Sequence, residues 1–208
     1  QTCALPISFK TRSGEVLKLI ALVEEAQERA AKVLEEKNPQ MDPQQKEHVA
    51  RVVGVGALKY ADLSSDRIKD YIFDWDRMLA MEGNTAPYLQ NAYVRIRSIF
   101  RKAATQNVAL PDSKTDIDLR EPAERTLGLK LLQFAPTVDS VAQSLEPHRL
   151  CNYLYELAAA YHQFYEKCPV VTAPDAAVRA SRLALCDLTA RVLAKGLSLL
   201  GIEVVEQM

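Results

Sequence analysis

Apolar residues recur at three- and four-residue steps through most of the chain, and strict alternation is rare. Leu22, Ala26, Ala30, Val33 and Leu34 form one such stripe, predicting a helix over about 20–37 that Asn38-Pro39 stops. "EVLKL" (15–19) before it has the make-up of a short strand. A second helix is expected over about 43–60, with Pro43 in its first turn and Val49, Val52, Val53, Gly56 and Ala57 on one side. "DYIFDWD" (70–76) alternates polar and large apolar residues, the pattern of a half-buried strand. From Asn84 onward the signal is helical. Asn84 and Thr85 suit a cap, Pro87 suits the first turn, and Leu89, Ala92, Tyr93, Ile96, Ile99, Phe100 and Ala103 continue the stripe. A loop is expected over about 105–119, then helices near 120–134, 136–145, 147–167 and 174–201, the last stopped by Gly201. No repeat or low-complexity segment interrupts the series. The pattern shifts near 83–86 from mixed α/β to nearly pure helix, which marks a domain boundary there and makes the chain mainly α.

Composition adds bounds. The 208 residues are 48% hydrophobic and 25% charged, ordinary values for a soluble globular protein. No apolar run reaches the roughly 18–20 residues that span a bilayer, and no basic flank leads into a long apolar core, so no membrane role and a cytoplasmic setting are expected. The four cysteines, at 3, 151, 168 and 186, contain no C-x-x-C pair. If 151–167 is one helix, Cys151 and Cys168 lie about 25 Å apart, too far to bridge. Cysteine usage therefore suggests a reducing compartment and no structural metal. The chain begins at Gln1 without Met and reads as incomplete; residues 1–7 have no periodicity and are set aside as an artefact or unstructured lead.

Charge changes the picture at one place. The 89–103 helix carries Arg95, Arg97, Arg101 and Lys102, and no acid occurs between Gly83 and Pro111, although the net charge of the chain is only −1. A solvated polar face is the ordinary fate of such residues. A helix stabilised by its own salt bridges would place Glu or Asp four residues away, and here there is none. Unanswered positive charge on a near-neutral protein is also the footprint of a held phosphate backbone. Both readings stand on charge alone.

The order of residues goes further. "GNTAPYLQNAYVRIRSIFRKA" (83–103) closely resembles the G-x-T-x-P-Y-x-Q-x-A-x-x-R-x-x-S segment of arginyl-tRNA synthetases, where the catalytic domain hands over to the helical anticodon-binding domain. "GVGALKYADLS" (54–64), "YIFDWDRMLAMEG" (71–83), "CNYLYELAAAYHQFYEKCPV" (151–170) and "SRLALCDLTARVLAKGLSLLGIEVVEQM" (181–208) resemble further stretches of that family in the right order, so the likeness runs from Ser8 to the end. It implies the C-terminal remnant of a Rossmann-type class I catalytic domain over 8–85, followed by an α-helical anticodon-binding bundle over 86–208. The parent enzyme would join arginine to ATP, with Mg2+, then transfer arginyl to the terminal adenosine of arginine tRNA. A monomer with no metal site in this chain is expected.

"FKTRSG" (9–14) gains a meaning in that setting. It resembles the arginyl form of the mobile class I loop that closes over ATP. Activation builds negative charge on the α-phosphate and pyrophosphate, which positioned cations offset. Arg12 falls at the family's second basic position; Lys10 and the Thr11 hydroxyl would assist, with Phe9, Ser13 and Gly14 forming the loop against the nucleotide. The family's His-x-Gly-His type motif is not in this chain: His48, His148 and His162 are scattered and read as structural or solvated. The 208 residues alone are therefore not expected to aminoacylate.

Tyr153, Tyr155, Tyr161, Phe164 and Tyr165 crowd one helix. Most such series are core, but Tyr165 sits at the helix end, where a ring stays exposed. In the family an aromatic here and the terminal Met lie against the anticodon loop, so the resemblance assigns tRNA contact to Tyr165 and Met208. The ending Val205-Glu206-Gln207-Met208 departs from the usual Val-Glu-Arg-Met by one charge. On the final helix Arg179, Arg182, Arg191 and Lys195 outnumber Asp175 and Asp187, and Arg182, in the matching "SRL" stretch, is the expected phosphate contact. Two alternatives remain at this level: the helical region of another class I synthetase, against which "FDWDRMLAMEGNTAPYLQ" argues, and a helical protein–protein module without RNA.

Overall fold

A computed structural model describes residues 19–69, 73–112 and 115–208. Among these residues all regular structure is helical. The expected strand at 15–19 and the loop at 9–14 lie outside them, except for Leu19.

Helix α1 (Leu19–Lys37) and helix α2 (Pro43–Leu63) pack along their length. Asp42 starts α2 by accepting the Gln44 and Gln45 N–H groups at 3.1 Å each, with Pro43 needing no such partner. Ala26, Ala30 and Leu34 face Val49, Val53 and Ala57 across a buried apolar seam. Gly54 permits the approach: a Cβ there would stand 2.6 Å from the Ala26 carbonyl oxygen.

The expected strand at 70–76 is not what the described part of that segment forms. Trp75–Leu79 is a short helix, α3, because the Asp74 carboxylate caps it by accepting the Arg77 N–H at 3.1 Å. Trp75, Met78 and Leu79 then fall on one side, with Met78 and Leu79 buried and the Arg29 guanidinium 5.3 Å from the Trp75 ring centre. The Asp-Trp-Asp run imitates alternation over too few residues to distinguish a strand from a capped turn.

Gly83, at φ 75°, turns the chain into helix α4 (Ala86–Thr105). Thr85 donates its hydroxyl to the Ala80 carbonyl at 2.7 Å and accepts the Tyr88 N–H at 3.3 Å, binding the turn to the helix. The loop that follows is pinned at Asp118, whose N–H donates to the Ser181 hydroxyl at 2.8 Å while that hydroxyl donates to the Asp118 carbonyl at 3.1 Å. Helices α5 (Pro122–Leu132), α6 (Phe134–Ser144), α7 (Pro147–Lys167) and α8 (Ala176–Leu199) complete the series close to the expected bounds.

Leu89, Ile96, Leu154, Leu157, Tyr161, Phe164, Leu183 and Leu193 fill the main core between α4, α7 and α8. Gly196 brings α8 onto α7, since a Cβ there would lie 2.5 Å from Leu154 Cδ2. A smaller core joins α1 and α2 to Leu79 and, from the far end of the chain, Val205. After α8, Gly201 at φ 69° reverses the chain, and residues 202–208 run back between α2 and α4.

Candidate nucleic-acid interface

Helix α4 is built in three stripes. Leu89, Ala92, Ile96, Ile99 and Ala103 are buried. Tyr88, Arg95 and Lys102, spaced by seven, lie along one flank of that stripe; Tyr93 and Arg97 lie along the opposite flank. The four cations that look alike in sequence therefore serve two different surfaces.

On the first flank α4 meets the outer face of α7. The Arg95 guanidinium stands 5.8 Å from the centre of the Tyr165 ring, which is 43% exposed. A cation over an exposed ring contributes about 0.5–1 kcal/mol and holds both groups in place. Tyr88 touches Tyr155 and His162, with ring centres 5.7 and 5.0 Å apart, and Tyr161 underlies Tyr165 at 6.2 Å. Burial, and then the charge of Arg95, keeps the His162 imidazole below its usual pKa, and its Nε2 has no hydrogen-bond partner among the described residues. Lys102 is exposed in the last turn, where the helix dipole favours a cation. Neither Arg95 nor Lys102 has an ion-pair partner among the described residues. Tyr88, Tyr155 and His162 join this surface although the sequence assigns them no role at it. The signal was present: Asn152, Tyr155, Ala159 and His162 follow three- and four-residue steps on α7.

A cleft of about 610 Å³ opens between the C-terminus of α2, α3 and the first turns of α4 and α7. The Tyr60 hydroxyl sits there 2.6 Å from Asn84 Oδ1 and 2.9 Å from the Cys151 carbonyl oxygen, and the Asn84 amide donates to Asn152 Oδ1 at 3.3 Å.

On the second flank the positive charge does have an acid, supplied from the end of the chain. Glu206 Oε2 accepts from Arg97 Nε at 2.8 Å and Oε1 from the Tyr93 hydroxyl at 3.2 Å; the Glu206 carbonyl accepts from Arg101 at 2.9 Å. The hydrogen bond with Glu206 raises the already high Arg97 pKa. Met208 is half-buried against the smaller core.

Arg182 is not on this surface, which corrects its reading as a phosphate contact. It is only 9% exposed; its Nε donates to Glu124 Oε1 at 2.6 Å and an Nη to the Pro169 carbonyl at 2.8 Å. Glu124, 2% exposed, also accepts the N–H groups of Arg120 and Glu121 at 2.7 and 2.8 Å. Burial alone would raise its pKa, but the bonds from Glu121, Arg182 and Arg120 outweigh burial and hold it below the usual carboxylate value. Paired with Glu124 and almost wholly buried, this guanidinium is shielded from a phosphate. Arg179 closes its own loop onto the Ala173 and Pro174 carbonyls, and Arg191 pairs with Asp187 at 2.8 Å. Lys10, Thr11 and Arg12, with Phe9, Ser13 and Gly14, lie outside the described residues. No group of His, Cys, Asp and Glu among the described residues is placed to hold a metal, and no described helix is long and apolar enough to cross a membrane.

This flank thus joins one exposed ring and three half-buried ones to two cations with no ion-pair partner among the described residues. Residues 89–208, from α4 to the last residue, match the profile described as DALR anticodon binding domain. The chain belongs to the DALR anticodon-binding domain family. Ahead of this DALR region, residues 6–75 match the profile described as tRNA synthetases class I (R), catalytic domain, so α1 and α2 belong to a class I catalytic remnant. The arginine–tRNA ligase of Proteus mirabilis is 52% identical over 200 residues, covering 96% of this chain and 34% of the relative; that of Vibrio parahaemolyticus is 50% identical with the same coverage. The chain thus spans about a third of the length of the curated relatives it matches. Among solved structures, Thermus thermophilus arginyl-tRNA synthetase superposes with a TM-score of 0.83 at 36% identity, over 93% of this chain and 32% of that one. The Plasmodium falciparum enzyme gives 0.81 at 32% identity, over 93% and 34%.

Proposed function

We propose that this chain is the tRNA-holding part of an arginine–tRNA ligase, and that the surface where α4 meets α7 receives the anticodon arm of arginine tRNA. The Arg95–Tyr165 pair carries this reading: it sets an unpaired cation beside an exposed ring, the two chemistries needed to hold a phosphate and stack an unpaired base. Arg95 and Lys102 take the phosphates. Tyr165 and Met208 meet the bases. We place the boundary between catalytic remnant and anticodon-binding domain at 85/86, where Thr85 caps α4.

The whole enzyme would use ATP and arginine, with Mg2+, as a soluble cytoplasmic monomer. ATP is the energy source of the reaction. Within this chain the task of "FKTRSG" is electrostatic: Lys10 and Arg12 offset phosphate charge, Thr11 donates a hydrogen bond, and Phe9, Ser13 and Gly14 shape the loop.

Filter binding of total tRNA to the 208-residue chain at two salt concentrations tests the RNA role. Affinity should fall with rising salt, each phosphate held by Arg95 or Lys102 contributing about 0.7–0.9 to the logarithmic slope. Binding that is absent or independent of salt would favour the helical protein–protein module.

A further inference from the structure

Residues 201–208 are held by more than their apolar contacts. Ile202 is buried against Gly56, where a Cβ would come within 3.2 Å of Ile202 Cγ2 and 3.1 Å of Gln90 Nε2. Gln90, wholly buried, donates to the Glu203 carbonyl at 2.9 Å. Tyr93 and Arg97 bind the Glu206 carboxylate, and Arg101 binds its carbonyl. Positions 90, 93, 97 and 101 form one line along α4, so a single face of that helix receives the returning chain. Glu206, two residues before Met208, pairs with Arg97 at 2.8 Å, closer than the 4.0 Å of Arg51 and Glu203 on the α2 side.

We propose that Tyr93, Arg97 and Arg101 are positioning residues: they clamp the C-terminal segment through Glu206 and so fix Met208 where it meets the RNA. This rests on the RNA role proposed above, and it takes Arg97 and Arg101 out of the phosphate contacts. Arg97 reaches the Glu206 carboxylate through Nε, a donor whose direction the guanidinium plane fixes, whereas an ammonium acts as a point charge. The clamp therefore depends on arginine geometry, and a phosphate contact depends mainly on charge.

Two measurements on the 208-residue chain test the clamp, each made on the unaltered chain and on Glu206→Gln, Arg97→Ala and Arg97→Lys. The first needs no RNA: carboxypeptidase release of Met208, followed by intact mass. Release should accelerate several-fold in all three variants, with circular dichroism unchanged; unchanged release would overturn the clamp. The second is a competition titration of an arginine tRNA transcript against one with a substituted anticodon. Each variant should lose several-fold in discrimination between the two RNAs while the salt slope stays within a few tenths of the original. Equal weakening for both RNAs by Arg97→Ala with a slope lowered by about one, normal binding by Arg97→Lys and tighter binding by Glu206→Gln would return these arginines to phosphate contact. If the unaltered chain bound no tRNA, the RNA role would fall and with it the purpose assigned to the clamp, while the release rates would still decide whether the tail is held.

Discussion

Arg182 and Glu124 show what a single buried pair commits the chain to. With Arg182→Ala the Glu124 carboxylate stays buried and loses its one cationic partner at hydrogen-bond distance among the described residues, so unfolding by denaturant should show a loss of about 3–5 kcal/mol. Glu124 has a depressed pKa in the folded chain, so its contribution is fully present above the unfolded value of about 4.3 and is lost as pH falls through the folded value. Glu124→Gln should therefore flatten the acid side of the stability profile; an unchanged acid limb would mean that other carboxylates set it. His162 works in the opposite region. Its pKa is depressed, so the neutral form is preferred and stability declines as pH drops below about 6.5 towards the folded value. A phosphate brought near Arg95 would favour the protonated ring, so tRNA should raise the His162 pKa, measurable from its imidazole carbon shifts during a titration. A pKa unmoved by RNA would place the backbone away from Arg95.

At the scale of elements the periodicity of apolar residues was sufficient for nearly every helix, because each of α1, α2, α4, α7 and α8 is long enough to repeat its stripe several times. It failed at α3, where five residues complete little more than one turn and the Asp74 cap decides the outcome. The site was less legible. Arg97 lacks a local acid because its partner lies 109 residues away, and Arg182 lacks one because its partner lies 58 residues away. No window along the sequence contains either pair, so both arginines look free until the fold brings the acids in. The resemblance assigns a role to Tyr165, exposed where α4 meets α7, but none to Tyr88, whose ring passes for core at helical spacing, or to His162, which reads as structural or solvated. The close approach of α1 and α2 is a further property of elements. Gly54→Ala sets a methyl against the Ala26 backbone, where no side chain can rotate away, and outweighs the helix propensity it gains. A loss of about 1–3 kcal/mol is expected in thermal or denaturant unfolding. A stabilised variant would mean the two helices separate freely.

Over the whole molecule the proposed function divides the labour between two surfaces: the flank of α4 at Arg95 and Lys102 would hold a backbone, while the other flank, bonded to Glu206, would secure the segment proposed to meet the bases. The chain covers about a third of its curated relatives, and no aminoacylation is expected from it alone. Pyrophosphate exchange dependent on arginine and tRNA, above background, would contradict that. Reading and holding separate most cleanly at Tyr165, which contributes a ring and no charge. The deciding measurement is a competition titration of arginine tRNA and an anticodon-substituted transcript against the unaltered chain and Tyr165→Ala. The variant should lose about 1–3 kcal/mol for arginine tRNA, far less for the substituted transcript, and keep its salt slope. Equal losses for the two RNAs, or none, would contradict an anticodon site between α4 and α7.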